Sequence, residues 1–217
     1  MAEHDDVLAM LEAYMTGDPH KLPLRRAAQG SGRGPLDALR AELGDCTRCG
    51  LCAQRTNIVF GAGSPQARVV FIGEAPGEEE DRQGVPFVGR SGQLLTQFIA
   101  GIGLTRDEVY IANICKCRPP GNRNPHPDEV AACEPFLLRQ LAIIKPKVIC
   151  ALGNVATQTL LQIKTGITKL RGQTMRYGDI PLIPTYHPSF ILRQGGTGCT
   201  DAGNMMRDFE LLKQMMA

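Results

Sequence analysis

Apolar and polar positions along the chain fall into short fully apolar runs separated by longer stretches with a helical repeat. The runs are Val69–Gly73, 109–113, Val148–Leu152 and 180–186, each five to seven residues long and without polar alternation. Such runs suit strands buried on both faces. Between and after them, 92–102, 128–144, 154–162 and 202–216 place apolar residues three and four apart, the repeat of an amphipathic helix. Strand and helix therefore alternate, which predicts a three-layer αβα sandwich around a four-stranded parallel sheet. Ahead of this, residues 5–16 read as a short amphipathic helix and 16–34 as a Gly-, Pro- and base-rich linker, with a further helix over 36–43. The expected division is an extension over 1–35 and one α/β domain over 36–217.

In a parallel sheet, reactive groups gather where the strands end. Here the strand-end polar residues are Glu74, Asn113, Asn154 and His187. The segment VVFIGEAPGEEEDRQGVPFVGRSGQ (69–93) adds a Gly/Pro turn and an acidic run, which reads as a solvated turn at Glu78 and Glu79. It then adds Phe87 in a glycine-flanked loop and a small-residue helix entry at Ser91.

Composition narrows the class. A net charge of +2 gives no global case for a polyanionic partner, so any nucleic-acid contact must come from local clusters. No apolar run approaches the ~18 residues of a membrane span, and MAEHDDVLAM lacks the basic and apolar parts of an export signal. Eight cysteines without such a signal point to a reducing compartment and to metal ligation. Cys46, Cys49 and Cys52 are spaced C-x2-C-x2-C, and two remote cysteines, best read as Cys117 and Cys133, would complete a set. Alternation alone leaves Cys115 and Cys117 unresolved, and spacing does not separate zinc from iron–sulfur. Cys150, on a strand, reads as core.

Four features taken together, GEAPGEEEDRQGVPFVG (73–89), NICKCRPPGNRNP (113–125), the C-x2-C with Cys133, and HPSFILR (187–193), resemble family 4 uracil-DNA glycosylases over roughly residues 40–215. The resemblance implies a [4Fe–4S] cluster on Cys46, Cys49, Cys117 and Cys133, with a structural role. It implies a monofunctional glycosylase that flips uracil out of DNA and hydrolyses its N-glycosidic bond. The partner is then uracil-containing DNA and not a membrane, and a cytoplasmic, nucleoid-associated monomer is expected.

Each step of that chemistry has a candidate. Phe87 would stack on the flipped base, with Ala75 beside it in the pocket wall, and Asn113 would read the uracil edge with its donor and acceptor. His187 would donate to the leaving base at O2. The better-known branch of the superfamily carries an Asp where this chain has Ala75, so the carboxylate near C1′ falls to Glu74 or Glu80, with Asp81 in the same loop. Phosphate contacts are expected from Ser91, Lys169, Arg171, Ser189 and Arg193, and from the group Lys116, Arg118 and Arg123. Phe190, Ile191 or Leu192 would fill the gap left by the base.

Three rival readings stand beside this one. A relative that traps uracil covalently would need a basic insert before Cys133, which RPPGNRNPHPDEVAAC lacks. A ferredoxin-like carrier would not need a base pocket. A non-catalytic iron–sulfur DNA-binding domain of the replication or repair machinery would not need Phe87, Asn113 and His187 together.

Overall fold

The computed structural model describes residues 34–216, so the expected helix over 5–16 and nearly all of the linker lie outside the described residues. A helix, α1 (Pro35–Leu43), leads to a short 3-10 turn (Gly50–Ala53) and a two-residue strand, β1 (Ala62–Gly63). Then come β2 (Val69–Gly73), α2 (Glu78–Gln83), α3 (Arg90–Gly101), β3 (Tyr110–Asn113), α4 (Pro127–Ile144) and β4 (Val148–Leu152). The chain closes with α5 (Asn154–Leu161), α6 (Ile167–Leu170), β5 (Met175–Tyr177), β6 (Ile180–Thr185), α7 (Pro188–Arg193) and α8 (Thr200–Met216).

Among the described residues the sheet has six strands, in the order β1-β3-β2-β4-β6-β5. The inner four are parallel, as expected, while β1 and β5 add antiparallel edges. Those edges correct the expected count of four. β5 and β6 form a hairpin across Gly178-Asp179, with Gly178 at φ 55, a two-residue turn that needs a left-handed residue. β1 is too short to carry a periodic signal.

Successive strand residues face opposite layers. In β2, Val69 and Phe71 face the side covered by α3 and α8, where Phe71 and Phe98 each meet Phe209 at 5.4 Å between ring centroids. Val70 and Ile72 face α4 and α5, with Leu137, Leu141 and Leu160. Cys150 is buried among the first group, as core. A third cluster of Leu39, Leu43, Phe60 and Phe136 docks α1 on α4.

After β2 the chain crosses to β3 on one side, and after β4 it crosses to β6 on the other. The connections leaving β2 and β4 thus diverge and open a crevice at their C-terminal ends, where open α/β sheets hold ligands.

The acidic run, read as a solvated turn, is instead helix α2. It has no apolar repeat to announce it. Four acids in its first turn complement the helix N-terminus, and Gly84 closes it at φ 70. Asp81 is buried there, its carboxylate taking the backbone N–H groups of Thr56 (2.9 Å) and Asn57 (3.2 Å), so it holds a loop rather than facing a substrate.

Candidate active site

The crevice is a cavity of 910 Å³ bounded by the ends of all four parallel strands: Glu74 after β2, Asn113 ending β3, Gly153 after β4 and His187 after β6. Ala75, Phe87, Ser91, Ser189 and Arg193 also line it.

Phe87 is held in a conformation that a phenylalanine seldom adopts, with φ at 52. Arg106 donates to the Phe87 carbonyl (3.1 Å) and to the Pro86 carbonyl (2.8 Å). From the other side the Glu80 carboxylate accepts the N–H groups of Val88 (2.9 Å) and Gly89 (2.8 Å). Gly92 in α3 passes so close to the Phe87 carbonyl that a side chain there would collide. These contacts offset a backbone strain of roughly 1–3 kcal/mol and fix the ring 5.6 Å from the His187 ring. Sequence reasoning missed Arg106, because nothing local links it to a loop twenty residues upstream.

Asn113 is 1% exposed, and its Oδ1 has no hydrogen-bond partner among the described residues. A buried acceptor left unmet costs about 1–3 kcal/mol, and this one lies at a cavity wall, where a ligand's donor could meet it. Gly73 makes the room: a Cβ there would lie 2.5 Å from Asn113 Oδ1 and 2.6 Å from the Phe87 ring. Gly73 was another omission, although a glycine ending an apolar strand is the available signal.

His187 precedes α7 and caps it, its Nδ1 accepting the Ser189 N–H at 3.1 Å, with Ser189 Oγ at 2.7 Å. An accepting Nδ1 leaves the neutral ring's proton on Nε2, free to donate. Burial, helped by Arg193, pushes the imidazole pKa down to about 4. Gly153, at φ 89, lies against the His187 Cβ with no space for a side chain.

The two candidate carboxylates differ. Glu80 lines the cavity as Glu74 does, but its Oε1 is taken by the Phe87 loop, as described. Glu74 has no side-chain partner among the described residues, and burial raises its pKa. Its backbone carbonyl accepts from Cys115 N (3.0 Å), tying the first site loop to the third strand's end.

The residue types expected on phosphate divide. Lys169 and Arg193 are exposed, and Ser91 and Ser189 lie in the cavity wall. Arg171 departs from expectation. Its guanidinium is paired with the buried Asp208 and donates to the Asn204 carbonyl (2.7 Å), so it ties α6 to α8 instead of reaching out. Lys116 departs further, being 1% exposed. Arg123 lines the cavity but is held by both oxygens of Glu129 (2.8 and 2.7 Å). Of the three wedge candidates, Ile191 is fully buried, Phe190 packs on Tyr186 at 4.9 Å, and Leu192 projects with 36% exposure.

The cysteines gather at another corner. Arg48 donates to Cys46 Sγ (3.3 Å), Arg55 to Cys117 Sγ (3.5 Å) and the Lys116 backbone N–H to Cys133 Sγ (3.1 Å). Cys115 hydrogen-bonds to Cys133, and this is the first cause of a Cys133 pKa lowered to about 7. Cys49 lies within electrostatic reach of Cys46 and Cys133. Among the described residues, no three potential ligands converge as they would on a single ion.

The profile of the uracil DNA glycosylase superfamily matches residues 60–210. The chain belongs to that superfamily. Within it, the chain is 52% identical to the type-4 uracil-DNA glycosylase of Thermotoga maritima over 150 residues, 68% of this chain and 78% of that protein. It is 47% identical to the type-4 enzyme of Sulfurisphaera tokodaii (72% of this chain, 76% of the relative) and 44% identical to that of Archaeoglobus fulgidus (72% and 83%). The superfamily fold is the mostly parallel sheet between helices described above, and the matched span holds all six strands. No helix among the described residues is long and apolar enough to cross a membrane.

Proposed function

We infer that this chain is a type-4, monofunctional uracil-DNA glycosylase of base excision repair, which hydrolyses the C1′–N1 bond of deoxyuridine and leaves an abasic site. The observation that carries the reading is the unmet Asn113 Oδ1 in a cavity shared with Phe87 and His187. The flipped base stacks on Phe87. Uracil presents an N3–H donor, which suits Asn113 Oδ1, and an O4 acceptor, which suits the same carboxamide's NH2. Cytosine reverses both, and a site built on such pairs rejects the reversed pattern strongly.

As the bond breaks, negative charge grows on the base at O2 and positive charge on the sugar. His187 Nε2–H donates to O2 as a neutral group, a preorganised donor of the kind that carries much of such catalysis. Glu74 is our candidate for the carboxylate facing C1′, stabilising the sugar cation and orienting water. Glu80 is the positioning residue that holds Phe87.

DNA is held through Ser91, Ser189, Lys169 and Arg193 around the cavity mouth, and Leu192 fills the vacated stack. Arg171 and Lys116 are left out for the reasons above. The protein acts as a cytoplasmic, nucleoid-associated monomer.

The cysteine corner suits a [4Fe–4S] cluster on Cys46, Cys49, Cys117 and Cys133. Three of these sulfurs already receive N–H donors, as anionic ligands require. A tetrahedral zinc ion would draw its sulfurs to about 3.8 Å from one another, whereas a four-iron cluster gives each ligand its own iron and needs wider spacing. Bound there, the cluster would be held by Cys46, Cys49, Cys117 and Cys133 and would serve as a structural tie between their segments.

The test is a labelled oligonucleotide bearing one uracil, incubated with the protein in EDTA and then cut with alkali. Cleavage at uracil and not at thymine or cytosine is expected. No cleavage by a folded, brown preparation would reject the activity and favour a DNA-binding domain without catalysis.

A further inference from the structure

Lys116 is one of the largest fully buried side chains, although the sequence pattern put it on DNA. Its Nζ donates to the Asn113 carbonyl (2.8 Å) and to Gln140 Oε1 (2.7 Å). Gln140, fully buried on α4, donates in turn to the Phe60 carbonyl (2.8 Å) and the Tyr110 hydroxyl (3.0 Å). The Asn113 carbonyl needs this partner, because pairing with the antiparallel edge strand β1 stops at Ala62–Ile111 and leaves Ala112 and Asn113, the last two residues of β3, without an edge strand beside them.

The Lys116 ammonium hydrogen-bonds only neutral groups, and its opposing charge comes from the Cys133 and Cys115 sulfurs nearby; as a mere core filler, an apolar side chain of similar size would cost less to bury. What the ammonium adds is direction. It fixes the peptide plane from which the Asn113 side chain springs, and that carboxamide must keep its oxygen toward N3–H and its nitrogen toward O4. We propose that Lys116 and Gln140 form a positioning brace for Asn113, and that this brace sets the rate of uracil excision and the discrimination between uracil and cytosine. The proposal rests on the base-reading role of Asn113. Because Lys116 lies between Cys115 and Cys117, the brace also makes base reading depend on the cysteine loop.

The experiment compares Gln140→Leu, Gln140→Glu and Tyr110→Phe with the wild-type chain, each purified with its cluster and checked by visible absorbance and Tm. Single-turnover excision of uracil from an oligonucleotide is measured alongside KM and release of cytosine. The wild-type chain must excise uracil; if it does not, the base-reading role and the brace fall together, before any variant is considered. With an active wild type, Gln140→Leu is expected to slow excision about tenfold, the scale of a small misplacement of a reacting partner, with KM unchanged and the uracil-to-cytosine ratio reduced. Gln140→Glu, which keeps an acceptor for Lys116, is expected to recover most of the rate. Tyr110→Phe removes a bond of the same carboxamide on the side away from Lys116, so it is expected to lower Tm but not the excision rate. A purely structural role predicts that rate follows Tm across the three variants, and that result would overturn the brace. Should Gln140→Leu not fold, Gln140→Asn withdraws the acceptor by one methylene, and wild-type excision by that variant overturns the proposal equally.

Discussion

The base pocket and the cysteine corner are built on opposite logics. In the pocket, backbone and packing hold each group in place while its bonding capacity is left open: Asn113 Oδ1 is unmet, Glu74 has no side-chain partner among the described residues, and Nε2 of His187 is free to donate. At the corner, charged and polar donors from Arg48, Arg55 and the Lys116 backbone already crowd the sulfurs. A site awaiting a transient substrate keeps its functional atoms unsatisfied at a cost in stability. A site for a resident anionic group surrounds it with donors. Substitutions in the two regions should therefore separate into losses of rate and losses of integrity.

The largest expected effect is at the pocket. His187→Ala should lower single-turnover uracil excision by about 10²–10³, the usual cost of removing one such donor, with Tm close to wild type. A Tm collapse with loss of rate would erase the contrast between the regions. Next, Glu74→Gln should reduce excision about a hundredfold without loosening the fold. Glu80→Gln should weaken the clamp on Phe87 and show in Tm as well as rate. If Glu80→Gln proves the more damaging to chemistry at equal Tm, the two carboxylates exchange roles.

Arg55→Met should act the other way. It removes a donor from Cys117 and from the Cys46 carbonyl (2.6 Å), so visible absorbance should bleach faster in air while freshly loaded protein excises uracil at nearly the wild-type rate. An immediate loss of rate with absorbance intact would make the corner part of the chemistry.

The smallest effect is the response to pH. His187 has a folded pKa of about 4 against the ordinary ~6.5, so its ring stays neutral through neutral pH and adds no slope there. The unfolded chain binds the extra proton, so this residue's contribution to stability is complete above about pH 6.5 and declines as pH falls toward 4. The acid limb of excision should instead report Glu74, whose raised pKa makes it protonate earlier than an ordinary carboxylate. Glu74→Gln should flatten that limb, and a limb unchanged in the variant would remove Glu74 from its role.

Much of this molecule can be read locally. The inner strands were legible because a strand buried on both faces must be apolar at every position, and β2 and β4 are. Asn113 and His187 were legible as the polar residues that end such runs. The misreadings share a cause. Lys116, Arg123 and Arg171 are cations in loops beside the site, and a loop cation reads as exposed until its partner is known. Those partners, Gln140, Glu129 and Asp208, are 24, 6 and 37 residues away. Helix α2 was missed because its stability comes from capping and from Asp81 holding a remote loop rather than from an apolar face.

Hydrophobic periodicity determined the layers, the parallel core and the edge at which chemistry collects, because periodicity records which faces of each element avoid water. Only the tertiary structure decided which loop Glu80 holds, which of the three α7 side chains projects, and which cations face outward. Those properties belong to pairs of residues distant in sequence. A side chain's charge and length are written in the chain, but whether it is already satisfied depends on what the fold brings beside it.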